Sequence, residues 1–365
     1  MRSGCMKQIA TVALVGAVLA CVAVFAGAGT ASDPALVLQQ AADRLIATSD
    51  IPAVITLVEQ DGERTIVASG DAEIGVRKAR PGDAFWAGSI TKSFVATVVM
   101  QLVAEGKLRL DDRLSKLLPR RFRQGRKIRL RMLLNHTSGI PNYMVTELWA
   151  NAYARNSSVT IPPGRLVSAV ARLPLEFPPG TRASYSNTNY LVLAEILKRV
   201  TGRSVGPLLR ERIIGPLGLA ATRYEPGKRI LRDGGLHGYD VASSPPLDVS
   251  RTTLGGPWAD GAIVSNAPDL ATFFVALLQG KLVPPRLVAE MEKIVPRSHG
   301  EGLGLYRLPS PCGRWFYGHT GGTPGYVTFA AGSKDGTRFF VVDWNGVSPE
   351  AIHAMDVYLD ELICR

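Results

Sequence analysis

The sequence predicts a mixed α/β (α+β) fold: one antiparallel sheet built from both chain ends, flanked by helices, with a helical domain inserted. Three observations carry that expectation. First, β-rich runs at Ala53–Gln60 and Arg64–Gly70 are joined through Asp61-Gly62, a strong hairpin signal. Second, residues from Ser89 to about Trp258 are patterned as helices broken by Pro- and Gly-rich loops. Third, strand patterning returns at Gly302–Leu308, Arg314–His319, Tyr326–Ala331 and Arg338–Trp344, with Asp335-Gly336 between the last two. Strands at both ends imply a discontinuous sheet domain, 33–88 with 259–365, around a mainly helical domain, 89–258. A cleft between such domains is a common place for a site.

The elements follow in order. Arg2 and Lys7 precede an apolar run from Ile9 to Phe25, and Ala26-Gly27-Ala28 and Gly29-Thr30-Ala31 offer small-residue cleavage sites. Residues 1–31 therefore read as a secretory signal peptide, and the protein as secreted or cell-wall associated. The run approaches bilayer-spanning length, so an uncleaved segment would act as a membrane anchor. Val18-Leu19-Ala20-Cys21 faintly resembles a lipoprotein cleavage site, but the apolar run continues past the cysteine.

Asp33-Pro34 starts a helix running to about Thr48, with an N-cap and Pro in the first turn. Helices are predicted over Ser89–Glu105, ended by Gly106, and Asn189–Val200, ended near Gly202. Residues Glu225–Pro257 are rich in Gly, Pro and Ser and read as a long surface excursion. Asn266 is a plausible N-cap for the helix that follows, and Pro349–Cys364 forms the last one.

The formal charge is +11, and without Arg2 and Lys7 it is +9, which favours polyanions such as an anionic cell wall. Basic residues cluster only from Arg120 to Arg131, and that stretch reads as a solvated loop. No nucleic-acid motif accompanies it. Cys5 and Cys21 would leave with the signal, so Cys312 and Cys364 remain as an even pair in an oxidising compartment. A disulfide between them is expected.

Three short motifs carry the chemistry. Ser89-Ile90-Thr91-Lys92 sets a hydroxyl and an amine at i and i+3, on one helical face. A serine hydroxyl needs such a neighbouring base, and a helix N-terminus beside it favours developing negative charge. In Tyr185-Ser186-Asn187 the phenol can shuttle protons and the amide can hold a substrate carbonyl. His319-Thr320-Gly321-Gly322 closes a strand where glycines admit a substrate and a backbone N–H can complete an oxyanion hole. Each motif alone is a weak signal, and an ordinary lysine, a capping turn or a structural histidine would explain it.

Their conjunction and order resemble those of the penicillin-recognising serine hydrolases, the β-lactamase and D-alanyl-D-alanine carboxypeptidase superfamily. The segments Phe85–Phe94, Leu133–Ile140, Phe177–Gly180 with Tyr185–Tyr190, Gly302–Leu305, and Tyr317–Gly321 extend the similarity over most of the chain. Tyr-Ser-Asn is similar to class C β-lactamases and secreted carboxypeptidases, and His-Thr-Gly is closer to the latter.

The resemblance implies a β-lactamase/transpeptidase-like fold with the nucleophile at the domain junction. Ser89 would be acylated, Lys92 would help to deprotonate it, and Tyr185 would relay protons to the leaving amine. Asn187 would hold the substrate amide, and the backbone N–H groups of Ser89 and Gly322 would hold the oxyanion. His319 and Thr320, beside Gly321, would shape the strand side and engage a substrate carboxylate, with no metal or organic cofactor. Three departures fall on the carboxylate pocket. His319 replaces the lysine usual in β-lactamases, and Gly322 replaces a threonine of the carboxypeptidases. The arginine of their preceding strand has Arg307 as its nearest candidate, although Tyr306 occupies the best-matching position.

The expected substrates are small peptides, β-lactams or esters. Carboxypeptidase activity on peptidoglycan stem peptides comes first, and a class C-like β-lactamase or carboxyl-esterase is the alternative. A reading from another class is a penicillin-binding sensor that is acylated without turnover. A His-Glu-x-x-His zinc motif is absent from the sequence.

Overall fold

The computed structural model describes residues 33–155, 159–227, 231, 234–252, 256–296, 298, 300–310 and 312–364. The segment expected to be a signal peptide, with Cys5 and Cys21, lies outside them. Pro34–Arg365 forms one compact unit.

Its centre is a seven-stranded antiparallel sheet. The order is Arg77–Lys78, Glu63–Glu73, Ala53–Gln60, Arg338–Trp344, Tyr326–Gly332, Trp315–Thr323, Tyr306–Pro309. Both chain ends thus meet at the middle, where Val54 pairs with Trp344 and Gln60 with Arg338. The first hairpin turns at Asp61 (φ +52°) and Gly62 (φ +87°). Two successive positive φ angles are what a type I′ turn requires, which is why Asp-Gly sits there.

Period-2 alternation sends successive side chains to opposite faces. In Arg338–Trp344, Phe339 and Val341 enter the core shared with the central helices, while Phe340, Val342 and Trp344 enter a second core. That second core is closed by the Pro34–Thr48 and Pro349–Cys364 helices through Leu38, Leu45, Met355 and Tyr358. A sheet covered on both faces explains the nearly unbroken apolar strands.

The Thr91–Ala104 helix lies at the heart of the larger core, with Phe94, Val95, Val98, Val99 and Leu102 fully buried. A helix that is apolar all round has no solvent face. Each such side chain contributes about 1.5–3 kcal/mol on burial, so the helix is a rigid base for whatever its first turn carries. Phe94 stacks on Phe273 at 3.7 Å between centroids, which ties it to the Ala267–Leu278 helix. Asn266 caps that helix, accepting from the Asp269 N–H at 3.0 Å.

Four sequence expectations shift. Regular helix begins at Thr91 rather than Ser89, because Gly88 and Ser89 turn the chain out of the Phe85–Gly88 strand. The strand expected from Gly302 begins at Tyr306, because Gly304 adopts φ +76° in a turn closed by Gly302 N–H to Leu305 O at 2.8 Å. The 225–257 segment is more than a surface excursion. Its Leu236 and Tyr239 are buried, and Tyr239–Asp240 pairs with Gly346–Val347 and with Leu247–Asp248. The basic stretch also has internal anchors: Phe122 is buried and Arg121 makes a bidentate contact to Glu195.

Within the helical stretch, Arg223–Tyr224 forms a short strand that pairs with Ile263–Ser265, which also pairs with Phe85–Gly88. Among the described residues no helix is long and apolar enough to cross a membrane.

Candidate active site

Ser89 follows the Phe85–Gly88 strand and immediately precedes the buried helix. Lys92 lies one turn on, and its Nζ donates to Ser89 Oγ at 2.9 Å. The Tyr185 hydroxyl donates to the same oxygen at 2.8 Å, from a segment 96 residues away. Lys92 is wholly buried, whereas Tyr185 is 36% exposed. Both groups converge on one hydroxyl, and only the phenol opens toward solvent.

A second acceptor fixes the lysine: Nζ also donates to the Asp260 carbonyl oxygen at 2.7 Å. The Lys92 Nζ lies 4.9 Å from the Tyr185 ring centroid and 5.7 Å from that of Tyr190. Aromatic faces so placed attract a cation.

Asn187 ends the loop before the Thr188–Thr201 helix, yet its side chain makes no capping bond. Among the described residues its Nδ2 instead reaches the Met144 sulfur, at 3.4 Å. Sulfur is a weak acceptor, so the amide keeps capacity for a substrate. Ser89, Asn187, Met144, Gly322 and Asp260 line one small cavity of about 80 Å³.

The strand side is set by glycines. A Cβ on Gly321 would meet Ala87 O at 2.1 Å, and one on Gly88 (φ +52°) would meet Gly322 O at 2.9 Å. Gly321 and Gly88 therefore let the Trp315–Thr323 strand lie directly against the turn that carries Ser89. Gly322 is different, since a Cβ there meets nothing within 4 Å. The pairing of this strand with Tyr306–Pro309 stops at Gly318, so residues 319–323 have no strand partner on that side of the sheet.

His319 is buried, and its Nδ1 donates to the Thr320 carbonyl at 2.5 Å. Burial first, and the Lys92 charge second, push its pKa down to about 3. It is a neutral imidazole and offers no fixed charge to a carboxylate. Thr320 is exposed. The side chain meeting His319 from the neighbouring strand is Tyr306, edge to face at 4.8 Å.

Arg307 is not brought to the site. Its register partner is Tyr317, and its guanidinium lies 4.2 Å from the Trp315 ring centroid, against a groove outside the catalytic cavity. The expectation that it binds substrate is corrected: alternation along the strand directs Tyr306, not Arg307, toward His319. Cys312 and Cys364 are joined in a disulfide that ties the last helix to the loop before the His319 strand.

Sequence reasoning missed Asp260 and Tyr143. The Tyr143 hydroxyl donates to Asp260 Oδ2 at 2.9 Å, and the Trp258 N–H donates to Oδ1 at 3.2 Å. Burial raises the Asp260 pKa against the pull of nearby Lys92. No motif flags this pair, because Trp258-Ala259-Asp260-Gly261 has no spacing that betokens chemistry.

Comparison with known proteins fits this geometry. The family profile described as Beta-lactamase matches residues 38–365. Penicillin-binding protein 4 of Amycolatopsis lactamdurans is 28% identical over 318 residues, covering 80% of this chain and 80% of that protein. A putative D-alanyl-D-alanine carboxypeptidase of Escherichia coli K12 is 26% identical over 230 residues, 56% of this chain and 52% of its own length. The crystal structure of a D-stereospecific amidohydrolase from a Streptomyces species superposes with a TM-score of 0.78 and 32% identity, covering 88% of this chain and 98% of that one. The chain belongs to the β-lactamase family of hydrolases, with the mixed α/β fold of its penicillin-binding relatives.

Proposed function

We propose that the protein is an exported serine hydrolase that forms an acyl-enzyme at Ser89 and cleaves amide bonds next to D-amino acids. The observation that carries this reading is the double hydrogen bond to Ser89 Oγ from Lys92 and Tyr185. For reaction the Lys92–Tyr185 pair gives up one proton, and Ser89 Oγ then attacks the carbonyl carbon as its own proton passes to the amine or phenolate so freed. The oxyanion is received by the backbone N–H groups of Ser89 and Gly322. Collapse breaks the C–N bond, and the leaving amine takes a proton through Tyr185, because Lys92 is closed from solvent. Water then attacks the ester and restores Ser89.

The substrate class rests on the strand side. Arg307 faces away, His319 is neutral and Gly322 has no hydroxyl, so of the strand-side positions only the exposed Thr320 offers a hydroxyl to a free C-terminal carboxylate, and none offers a cation. A neutral amide end suits such a pocket better than a carboxylate, and the D-stereospecific amidohydrolase likeness supports the D-residue. Carboxypeptidase action on D-alanyl-D-alanine ends is the second reading, supported by the relatives that carry that name.

Ammonia release from D-alaninamide and D-alanine release from a D-alanyl-D-alanine stem-peptide mimic separate the two. Faster turnover of the amide, lost in Ser89→Ala, is expected. Turnover that survives Ser89→Ala sinks the nucleophile, and faster D-alanine release reverses the substrate order.

Export is supported by Arg2, Lys7 and the apolar run Ile9–Phe25 ahead of small residues. N-terminal sequencing of the protein from culture medium should begin near residue 32. Retention of Met1 on cell-bound protein would contradict cleavage.

A further inference from the structure

The Tyr185 hydroxyl must stay within hydrogen-bond reach of Ser89, yet residues 182–186 have no regular secondary structure. A side chain on such a segment is placed only as well as its contacts hold it. The residue outside the three motifs that touches both flanks of Tyr185 and its ring is His136.

His136 follows the short Leu130–Leu134 helix and is buried. Its φ is +58°, in the left-handed region that is uncommon for any residue with a Cβ. That backbone turn has a use. The His136 carbonyl accepts from the Ser184 N–H at 2.9 Å, and its ring Nδ1 accepts from the Ser186 N–H at 3.2 Å. Between those two anchors, the imidazole lies 4.4 Å from the Tyr185 ring centroid, tilted by 35°. One residue thus holds the chain before Tyr185, the chain after it and the tyrosine ring itself.

A hydrogen-bond relay sets the tautomer. Ser138 Oγ donates to Asn189 Oδ1 at 2.6 Å, which turns Asn189 Nδ2 toward His136 Nδ1 at 3.2 Å. Nδ1 then faces two N–H donors and must carry a lone pair, so the ring proton sits on Nε2. Burial, followed by the Lys92 charge, holds the imidazole well below its ordinary pKa, so it stays neutral and Nδ1 stays an acceptor.

We infer that His136 is the positioning residue for Tyr185, fixing the phenol on Ser89 through the backbone of residues 184 and 186 and through the ring contact. The inference rests on Ser89 being the nucleophile. His136 touches no reacting atom and acts only through Tyr185.

The test follows labelling of the full-length protein by a fluorophosphonate probe, read as one adduct by intact mass. The label requires an activated serine and no knowledge of the substrate. His136→Phe keeps an aromatic face and removes the acceptor. His136→Asn restores an acceptor near Nδ1 and tolerates the left-handed backbone. His136→Phe is expected to label about 100-fold more slowly, and His136→Asn to recover about 10-fold of that loss. In a Tyr185→Phe background, His136→Phe should add no further loss, because the hydroxyl it positions is gone. A wild-type rate for His136→Phe, or losses that multiply in the double variant, would overturn the proposal. Should His136→Phe melt early, His136→Leu replaces it in the same cycle. Label that persists in Ser89→Ala refutes the nucleophile instead, and so separates that failure from failure of the positioning role.

Discussion

Tyr143 donates its phenolic hydrogen to Asp260 Oδ2 across 2.9 Å, and both groups are buried and line the same cavity as Ser89. The pair connects the segment after Ile140 to the turn whose carbonyl anchors Lys92. Asp260→Asn replaces one acceptor oxygen by an NH2 group that must face either Tyr143 or the Trp258 N–H. A buried hydrogen bond lost in this way costs about 1–3 kcal/mol. The variant should melt about 2–6 °C lower and turn over more slowly. An unchanged melting temperature would show that the carboxylate is not needed to hold the turn.

Gly322 is the one strand-side glycine with room for a side chain, since nothing lies within 4 Å of its Cβ position. Gly322→Thr should fold with the wild-type melting temperature. The added hydroxyl can donate to a carboxylate, so kcat/KM for a D-alanyl-D-alanine peptide relative to D-alaninamide should rise about 10-fold. No change in that ratio would place the selectivity elsewhere.

Asp343 sits inside the sheet opposite Thr328, whose hydroxyl donates to Oδ1 at 2.6 Å, while Oδ2 is buried without a hydrogen-bond partner among the described residues. Burial raises its pKa well above the ordinary 3.8. The folded state therefore binds this proton more tightly than the unfolded chain does. That contribution is complete below pH 3.8 and is lost as pH rises toward the folded-state value. Asp343→Asn keeps the shape and cannot ionise. Its melting temperature at neutral pH should equal or exceed that of wild type, with the gap closing toward pH 4. A variant less stable than wild type at neutral pH would contradict this account.

The Cys312–Cys364 bridge closes a loop with a sequence separation of 52. Restricting the unfolded chain in this way contributes about 2–4 kcal/mol. Cys364→Ser should lower the melting temperature without altering kcat, because the bridge lies before the start of the strand and not at its Gly321–Gly322 end. Equal melting of both proteins under non-reducing conditions would remove the bridge from the stability account.

Much of the architecture was legible because local rules and packing agree. Asp61-Gly62 admits one tight hairpin, Asn266 caps one helix and Gly202 (φ +73°) ends another, each through nearest-neighbour sterics or hydrogen bonds. The 225–257 segment misled because its Gly and Pro content signals turns, while the burial of Leu236 and Tyr239 depends on surfaces far along the chain. Gly302–Leu305 looked like a strand for the related reason that buried leucines fit a turn as well as an extended run.

The site divides along the same line. The sequence by itself determined that Ser89 and Lys92 share a face, because one helical turn fixes their separation. It also marked Gly321 and Gly322 as glycines that admit a substrate, whereas the structure sets Gly321 against the Ala87 carbonyl and leaves the open space at Gly322. Only the tertiary structure decided that Tyr185 arrives at the same hydroxyl, that His136 grips the chain on both sides of that tyrosine, and that Asp260 lends Lys92 a carbonyl. It alone turned Arg307 away from the strand's catalytic end and set Tyr306 against His319. The physical reason is range. Spacing along a chain fixes contacts within a turn or a hairpin, whereas contacts across 50 to 170 residues exist only when a common core brings the segments together.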